Sequence, residues 1–299
     1  MKKTDFFIIG APKCGTTTLA YWLGQLDNIS ITTPKEPHTF ADELVQKMPR
    51  PSYDEMINTL PQKNIVGDAS TWYLWSSSAV DNILRYNPNA KFIVCLRNPV
   101  DMFFSYHNHV YFGGNETISD PEMAWNAQEQ RIQGYQLSPF QKNPIKLIYK
   151  QTCSIGTQVE QMLTKVERQN IHFLSLEMMK SDPENVVKSV LSFLGTPWPT
   201  DFSLENSAQN IAKTHAHPRL FWLRQWSIFF KQRSQSEFVR KIAHKIETKV
   251  EKKAKLKKTG YKTQIDHDFQ VRLDKIFEEE VNKLHQYTKI NFNRKDKNP

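Results

Sequence analysis

The run Asp5-Phe6-Phe7-Ile8-Ile9-Gly10, passing at once into Ala11-Pro12-Lys13-Cys14-Gly15-Thr16-Thr17-Thr18, constrains the fold more than any other stretch of the chain. Uninterrupted apolar residues bounded by Gly-Ala-Pro read as a strand buried on both faces, the habit of a parallel sheet. From Thr16 to Leu26 the residues Leu19, Trp22, Leu23 and Leu26 recur at the spacing of one helix face, and the threonines are placed to cap its start. Strand, tight loop and helix in that order imply an α/β architecture, because parallel strands need crossover helices that then cover the sheet.

Two further stretches repeat the unit. Lys91 to Leu96 (KFIVCL) ends in Arg97-Asn98-Pro99 and runs into a helix carrying Phe103, Phe104 and Tyr106. Ile171 to Leu176 is a third strand, and Asp182-Pro183-Glu184 opens a helix through Val186, Val190 and Leu194 that Gly195 closes. The expected fold is a P-loop-like, three-layer α/β/α domain with a central parallel sheet, spanning residues 1–299 as one domain without internal repeats. Pro34 to Pro61 reads as loops with a short helix, residues 219–260 as a basic helical segment, and residues 267–288 as one C-terminal helix docking on the body through Val271, Leu273, Ile276, Phe277, Val281 and Leu284.

The first turn carries the chemistry. A helix N-terminus offers unpaired N–H groups and the positive end of its dipole, glycine lets backbone approach an anion, and Lys13 with Thr16, Thr17 and Thr18 adds charge and hydroxyls. This is a phosphate cradle. It departs from the Walker pattern, which needs lysine directly after the second glycine, where this chain has Thr16 and carries its lysine two residues before that glycine. A P-loop nucleotide kinase is thereby disfavoured but stays the nearest enzyme alternative.

The loop resembles the P-K-x-G-T-T-x-L segment of PAPS-dependent sulfotransferases, which follows the first strand and holds the 5′-phosphosulfate of 3′-phosphoadenosine 5′-phosphosulfate. Arg97, leaving a strand, and Ser105, eight residues on in the following helix, resemble that family's 3′-phosphate signature. Forked guanidinium donors and a hydroxyl both suit phosphate. Leu174 to Met179 with Asp182-Pro183 and Phe193-Leu194-Gly195, the late stretch Asn206 to Arg219, and Phe277 to Leu284 continue the similarity. The resemblance implies PAPS as donor, PAP as product, no metal, and Lys13, Cys14, Gly15, Thr16, Thr17, Thr18, Arg97, Ser105, Lys213 and Arg219 as donor-binding residues.

Sulfuryl transfer also needs a cation at the departing phosphate and a base for the acceptor. Lys13 is the implied cation. Pro34-Lys35-Glu36-Pro37-His38-Thr39-Phe40 resembles the K-E-x-H-F-F segment of glycan-modifying members, where the Glu is the base, so Glu36 ranks first and His38 second. Lys35 either meets sulfate oxygens or faces water. Gly67-Asp68-Ala69-Ser70-Thr71-Trp72-Tyr73 stands where several glycan enzymes carry Glu-Lys-[ST]; with Asp68 read in the lysine's place, Asp68 is an alternative base or an orienter of acceptor hydroxyls. Trp72 and Tyr73 either fill the core or stack on a sugar, the core coming first. Lys213-Thr214-His215 replaces the glycan enzymes' Lys-Gly-Arg, which weakens Lys213 and Arg219 as phosphate contacts. His215-Ala216-His217 lacks a third ligand at metal spacing.

Between Arg219 and Lys258 thirteen Lys or Arg stand against three Glu, so this segment supplies the whole net charge of +9. With Phe221-Trp222, Trp226 and Phe229-Phe230 ahead of the lysines, it raises a binding-module alternative directed at nucleic acid or an anionic membrane. Nucleic acid is not the expected partner; the expected acceptor is a carbohydrate or glycolipid, met at a membrane surface through residues 219–258. Cys14, Cys95 and Cys153 lack disulfide or zinc spacing, and the apolar start is too short for a signal peptide, so the expected location is the cytoplasm, peripheral to a membrane.

Overall fold

The computed structural model describes residues 2–33, 35–44, 52–61, 63–113, 115–137, 144–205, 226–227, 236–255 and 266–293. Its centre is a sheet of five parallel strands, β1 (Phe6–Gly10), β2 (Ile29–Ile31), β3 (Ile65–Ala69), β4 (Lys91–Leu96) and β5 (Ile171–Ser175), in the order β2-β3-β1-β4-β5. β1 is buried throughout and pairs on both edges, Phe7 facing Asp68 on one side and Phe92 on the other. The helices are α1 (Thr16–Gly24), α2 (Tyr53–Asn58), α3 (Ala79–Tyr86), α4 (Pro99–Gly113), α5 (Pro121–Asn126), α6 (Gln128–Ile132), α7 (Tyr149–Cys153), α8 (Ile155–Leu163), α9 (Leu176–Ser181), α10 (Pro183–Leu194), α11 (Glu237–Lys255), α12 (His267–Ile276) and α13 (Glu278–Thr288). The α/β expectation and the strands led by Phe6, Lys91 and Ile171 hold; β2 and β3 lie in stretches too short or too polar to announce themselves as strands.

Two compact units emerge, the first comprising Met1–Met102, Ser154–Asn210 and Phe277–Pro299, the second Phe103–Cys153 and Ile211–Ile276. The first holds the sheet. Gly67 on β3 has to be glycine, since a Cβ there runs into the Phe6 ring of the neighbouring strand. α13 closes this unit on α8: Thr157 donates its backbone N–H and hydroxyl to Glu280, and Lys283 Nζ meets Glu160 at 2.8 Å. α10 starts at Asp182, which caps Asn185 N, and ends at Gly195 with φ 79°, both as its sequence implies.

The second unit is helical. Phe103 makes edge-on contacts with Trp125, Tyr149 and Phe269 at 5.2–6.0 Å between ring centroids. Beside that cluster Glu116 and Arg131 form a fully buried ion pair at 2.8 Å, and the Tyr149 hydroxyl donates to Glu116.

Two local expectations are corrected. Gly15, in the left-handed region, occupies the N-cap of α1 with no side-chain cap bond, so Thr16, Thr17 and Thr18 lie inside the first turn rather than capping it. Residues 267–288 are two helices, broken at the buried Phe277. The apolar period runs through the break and hides it, but Glu278-Glu279-Glu280 marks a new N-terminus, where acidic side chains meet the helix dipole.

Candidate active site

The loop after β1 leaves the sheet where the strand order reverses, between neighbours β3 and β4, the position at which open α/β sheets bind ligands beyond the strand ends. Gly10 has φ 148°, and a Cβ there would stand 2.8 Å from the Thr71 carbonyl. Gly15 has φ 93° and would meet Met179 Sδ at 2.8 Å. Both glycines let the loop turn tightly and present its amides at the start of α1. Cys14 is buried, its thiol donating to the Pro12 carbonyl at 3.5 Å, so it contributes backbone only.

Of the five non-glycine residues with left-handed φ among the described residues, three are Lys13 (65°), Glu36 (64°) and His38 (52°). Such backbone is disfavoured for side chains with a Cβ and persists where surrounding bonds over-determine it. Those bonds are visible. Lys35 Nζ donates to Thr17 Oγ1 at 2.8 Å and to Glu36 Oε1 at 2.9 Å, tying the Glu36 loop to the first turn of α1. His38 Nε2 lies 3.6 Å from Glu36 Oε2. Burial pushes the Glu36 carboxyl up, but the His38 contact and the Lys35 charge outweigh it and bring it down to about 2.

Beneath this loop lies a polar cluster that sequence reasoning assembled only in part. Asp68 is fully buried and accepts from Ser70 Oγ at 2.7 Å, Tyr53 OH at 3.0 Å and Tyr73 OH at 3.2 Å. Ser70 Oγ in turn accepts the His38 backbone N–H at 3.2 Å. Burial lifts the Asp68 carboxyl to about 6 against the pull of those hydroxyls. Asp68, Trp72 and Tyr73 are all buried, which for Trp72 and Tyr73 agrees with the reading placed first, that they fill the core, and none of the three offers exposed surface to an acceptor. Asp68 supports the loop instead, and matching Ser70 to the Ser/Thr of Glu-Lys-[ST] leaves Ala69 where the lysine would stand. Ser70 and Tyr53 are the residues missed: Ser70 sits inside a stretch already singled out, whereas nothing local flags Tyr53, fifteen positions from Asp68. The far end of the loop is pinned by Glu43, which accepts from Ser76, Ser77 and Ser78.

Arg97 follows β4 directly, and its Nε is buried without a hydrogen-bond partner among the described residues. An orphaned guanidinium N–H at the sheet's switch point matches a site that takes an anion. Asn98 caps α4 by accepting from Val100 N and Asp101 N. Ser105 lies half-buried on α4 within the second unit. Lys213, Arg219, His215, His217 and the aromatic pairs Phe221-Trp222 and Phe229-Phe230 lie outside the described residues.

A parallel α/β sheet with a glycine-shaped loop at its switch point, a lysine in that loop and no lysine after its second glycine is a P-loop-like arrangement without the Walker lysine. The profile of the family described as "Sulfotransferase domain" matches residues 3–287, and the chain belongs to that family. It is 26% identical over 160 residues to mouse carbohydrate sulfotransferase 15, covering 38% of this chain and 28% of that protein. It is 26% identical over 212 residues to the bifunctional heparan sulfate N-deacetylase/N-sulfotransferase 1 of Xenopus tropicalis, covering 65% and 22%. The chain thus spans about a quarter of the length of these relatives. The crystal structure of a sulfotransferase from Alicyclobacillus acidocaldarius aligns with a TM-score of 0.61 at 26% identity, over 77% of this chain and 92% of that one. Family membership supports the transferase reading over the kinase and over a chain that is only a binding module.

Proposed function

We propose that the protein transfers a sulfuryl group from PAPS to a hydroxyl or amine of a carbohydrate or glycolipid acceptor. The observation that carries the reading is the bonded chain Thr17–Lys35–Glu36–His38, which joins the anion loop to the two candidate bases in one unit. Glycan-modifying names among the relatives support the acceptor class. The donor fits the residues present: an orphaned Arg97 Nε, two glycines where a Cβ would crowd the loop, and the amide-rich start of α1.

PAPS supplies the sulfuryl group and, as PAP, the phosphate that leaves. The amides around Gly15 and the hydroxyls of Thr16, Thr17 and Thr18 hold the 5′-phosphate, Arg97 and Ser105 the 3′-phosphate, with Lys213 and Arg219 as further basic contacts. Lys13 neutralises charge that develops as the S–O bond to phosphate breaks. Glu36 takes the proton from the acceptor oxygen or nitrogen as the new bond to sulfur forms, and His38 steadies the carboxylate. A carboxylate held at about 2 is a weak base. Lys35, drawn from Glu36 toward incoming sulfuryl oxygens, takes away its share of that lowering and raises the proton affinity of the carboxylate, while the His38 contact stays. No metal ion takes part in this scheme, and the proton and charge bookkeeping closes on Lys13, Lys35, Glu36 and His38.

Thermal melts with PAP, with ATP plus magnesium, and without ligand test the donor. PAP without metal at about 100 times its Kd is expected to stabilise by ~2.7 kcal/mol. Stabilisation only by ATP with magnesium overturns the reading. Incubation with labelled PAPS and oligosaccharide or glycolipid acceptors then tests the acceptor class, which fails if label reaches only non-carbohydrate acceptors.

A further inference from the structure

α11 (Glu237–Lys255) carries two parallel rows of side chains. Phe238, Ile242 and Ile246, at i, i+4 and i+8, are all exposed, Phe238 to 72%. At about 100° per residue they cover a stripe of about 80°. Lys241, Lys245 and Lys249 repeat the same spacing about 60° around the helix, and all three are exposed. Ala243, the one buried residue among the described side chains of α11, marks the side that rests on the protein; the apolar stripe is centred about 100° around the helix from it and the lysine row about 160°, so the stripe flanks the packed side and the lysines lie opposite it. Among the described residues no helix is long and apolar enough to cross a membrane.

We infer that α11 is an interfacial helix that lays its Phe238–Ile242–Ile246 stripe into the surface of an anionic bilayer. An apolar row of this width costs free energy in water and gains it at the headgroup boundary. The neighbouring lysines fit the same surface, bending their apolar stems over the boundary while their ammonium groups meet lipid phosphates. Charge complementarity points to an anionic bilayer: the lysines beside the stripe meet lipid phosphates there, whereas a second copy packed antiparallel on this face would set the two lysine rows side by side, where like charges repel. The inference rests on α11 alone and is independent of the sulfotransferase reading.

The test is co-sedimentation of the full chain with vesicles of phosphatidylcholine alone or mixed with phosphatidylglycerol, at low and high salt. Binding is expected to the mixed vesicles only, weakening as salt screens the lysines. Each of Lys241→Glu, Lys245→Glu and Lys249→Glu is expected to lower affinity at least fivefold, and Phe238→Ser with Ile242→Ser to abolish binding with the circular dichroism spectrum unchanged. The inference is overturned if the chain stays in the supernatant with mixed vesicles at low salt, or if the serine variant sediments like the parent. It is equally overturned if the serine substitutions convert a dimer to a monomer on size-exclusion chromatography, since a second copy then covers the stripe.

Discussion

The two units of the chain treat exposed apolar surface in opposite ways. Of the ten large hydrophobic residues exposed among the described ones, nine, including Met123, Ile132, Tyr135 and Phe238, belong to the helical unit, and only Met178 belongs to the unit with the sheet. A parallel sheet covered by helices on both faces offers almost none of its strand side chains to water. Helices tolerate a second apolar stripe without losing the first. The sheet unit is therefore the rigid mount for Lys13, Lys35, Glu36, His38 and Arg97, and the helical unit has surface free for contacts with other molecules.

The largest expected effect lies in the helical unit. Arg131→Ala strands Glu116 as a buried charge and is expected to cost about 3–5 kcal/mol, seen in urea melts by far-UV circular dichroism. A loss under about 1 kcal/mol would mean that this unit is as open as its surface, breaking the contrast. Next, Lys13→Ala or Glu36→Gln is expected to cut turnover of labelled PAPS by about 10²–10³-fold with little change in melting temperature. Equal loss of stability would make these residues structural.

The sheet unit also predicts a pH dependence. Asp68 titrates near 6 in the fold against 3.8 for an unburied aspartate, so the folded state holds its proton more tightly than the unfolded chain. Stability then falls as pH rises from about 4 to 6, by about 3 kcal/mol in all, and Asp68→Asn is expected to remove that slope in melts across the range. Arg97→Ala is expected to weaken PAP about 10–150-fold by calorimetry while sparing ligand-free stability, since the Nε it removes has no partner to lose. Smallest of all, Phe238→Ser with Ile242→Ser is expected to shift stability by less than about 0.5 kcal/mol and to leave turnover of a soluble acceptor unchanged.

Much of this was legible one element at a time. β1, its glycine loop, α1 and α10 follow from apolar runs, glycine positions and caps within a dozen residues, and Lys13, Glu36 and Arg97 stand out as charges at the ends of such elements. The break at Phe277 was not legible in the apolar period, which agrees on either side of it, and only the acidic run Glu278-Glu279-Glu280 marks it. Nor was the burial of Asp68, which in sequence is an acidic residue among polar neighbours.

By itself, then, the sequence determined the βα units and the anion loop, since periodicity, glycine freedom and helix ends are local properties of the chain. Only the tertiary structure decided which side chains meet. The parallel register that sets Phe7 against Asp68 and Ile8 against Ala69 carries Ser70 beneath His38, and the approach of residue 35 to residue 17 puts Lys35 between Thr17 and Glu36. Contacts across 18 to 32 positions depend on how strands choose their neighbours, and that choice belongs to the packed sheet as a whole.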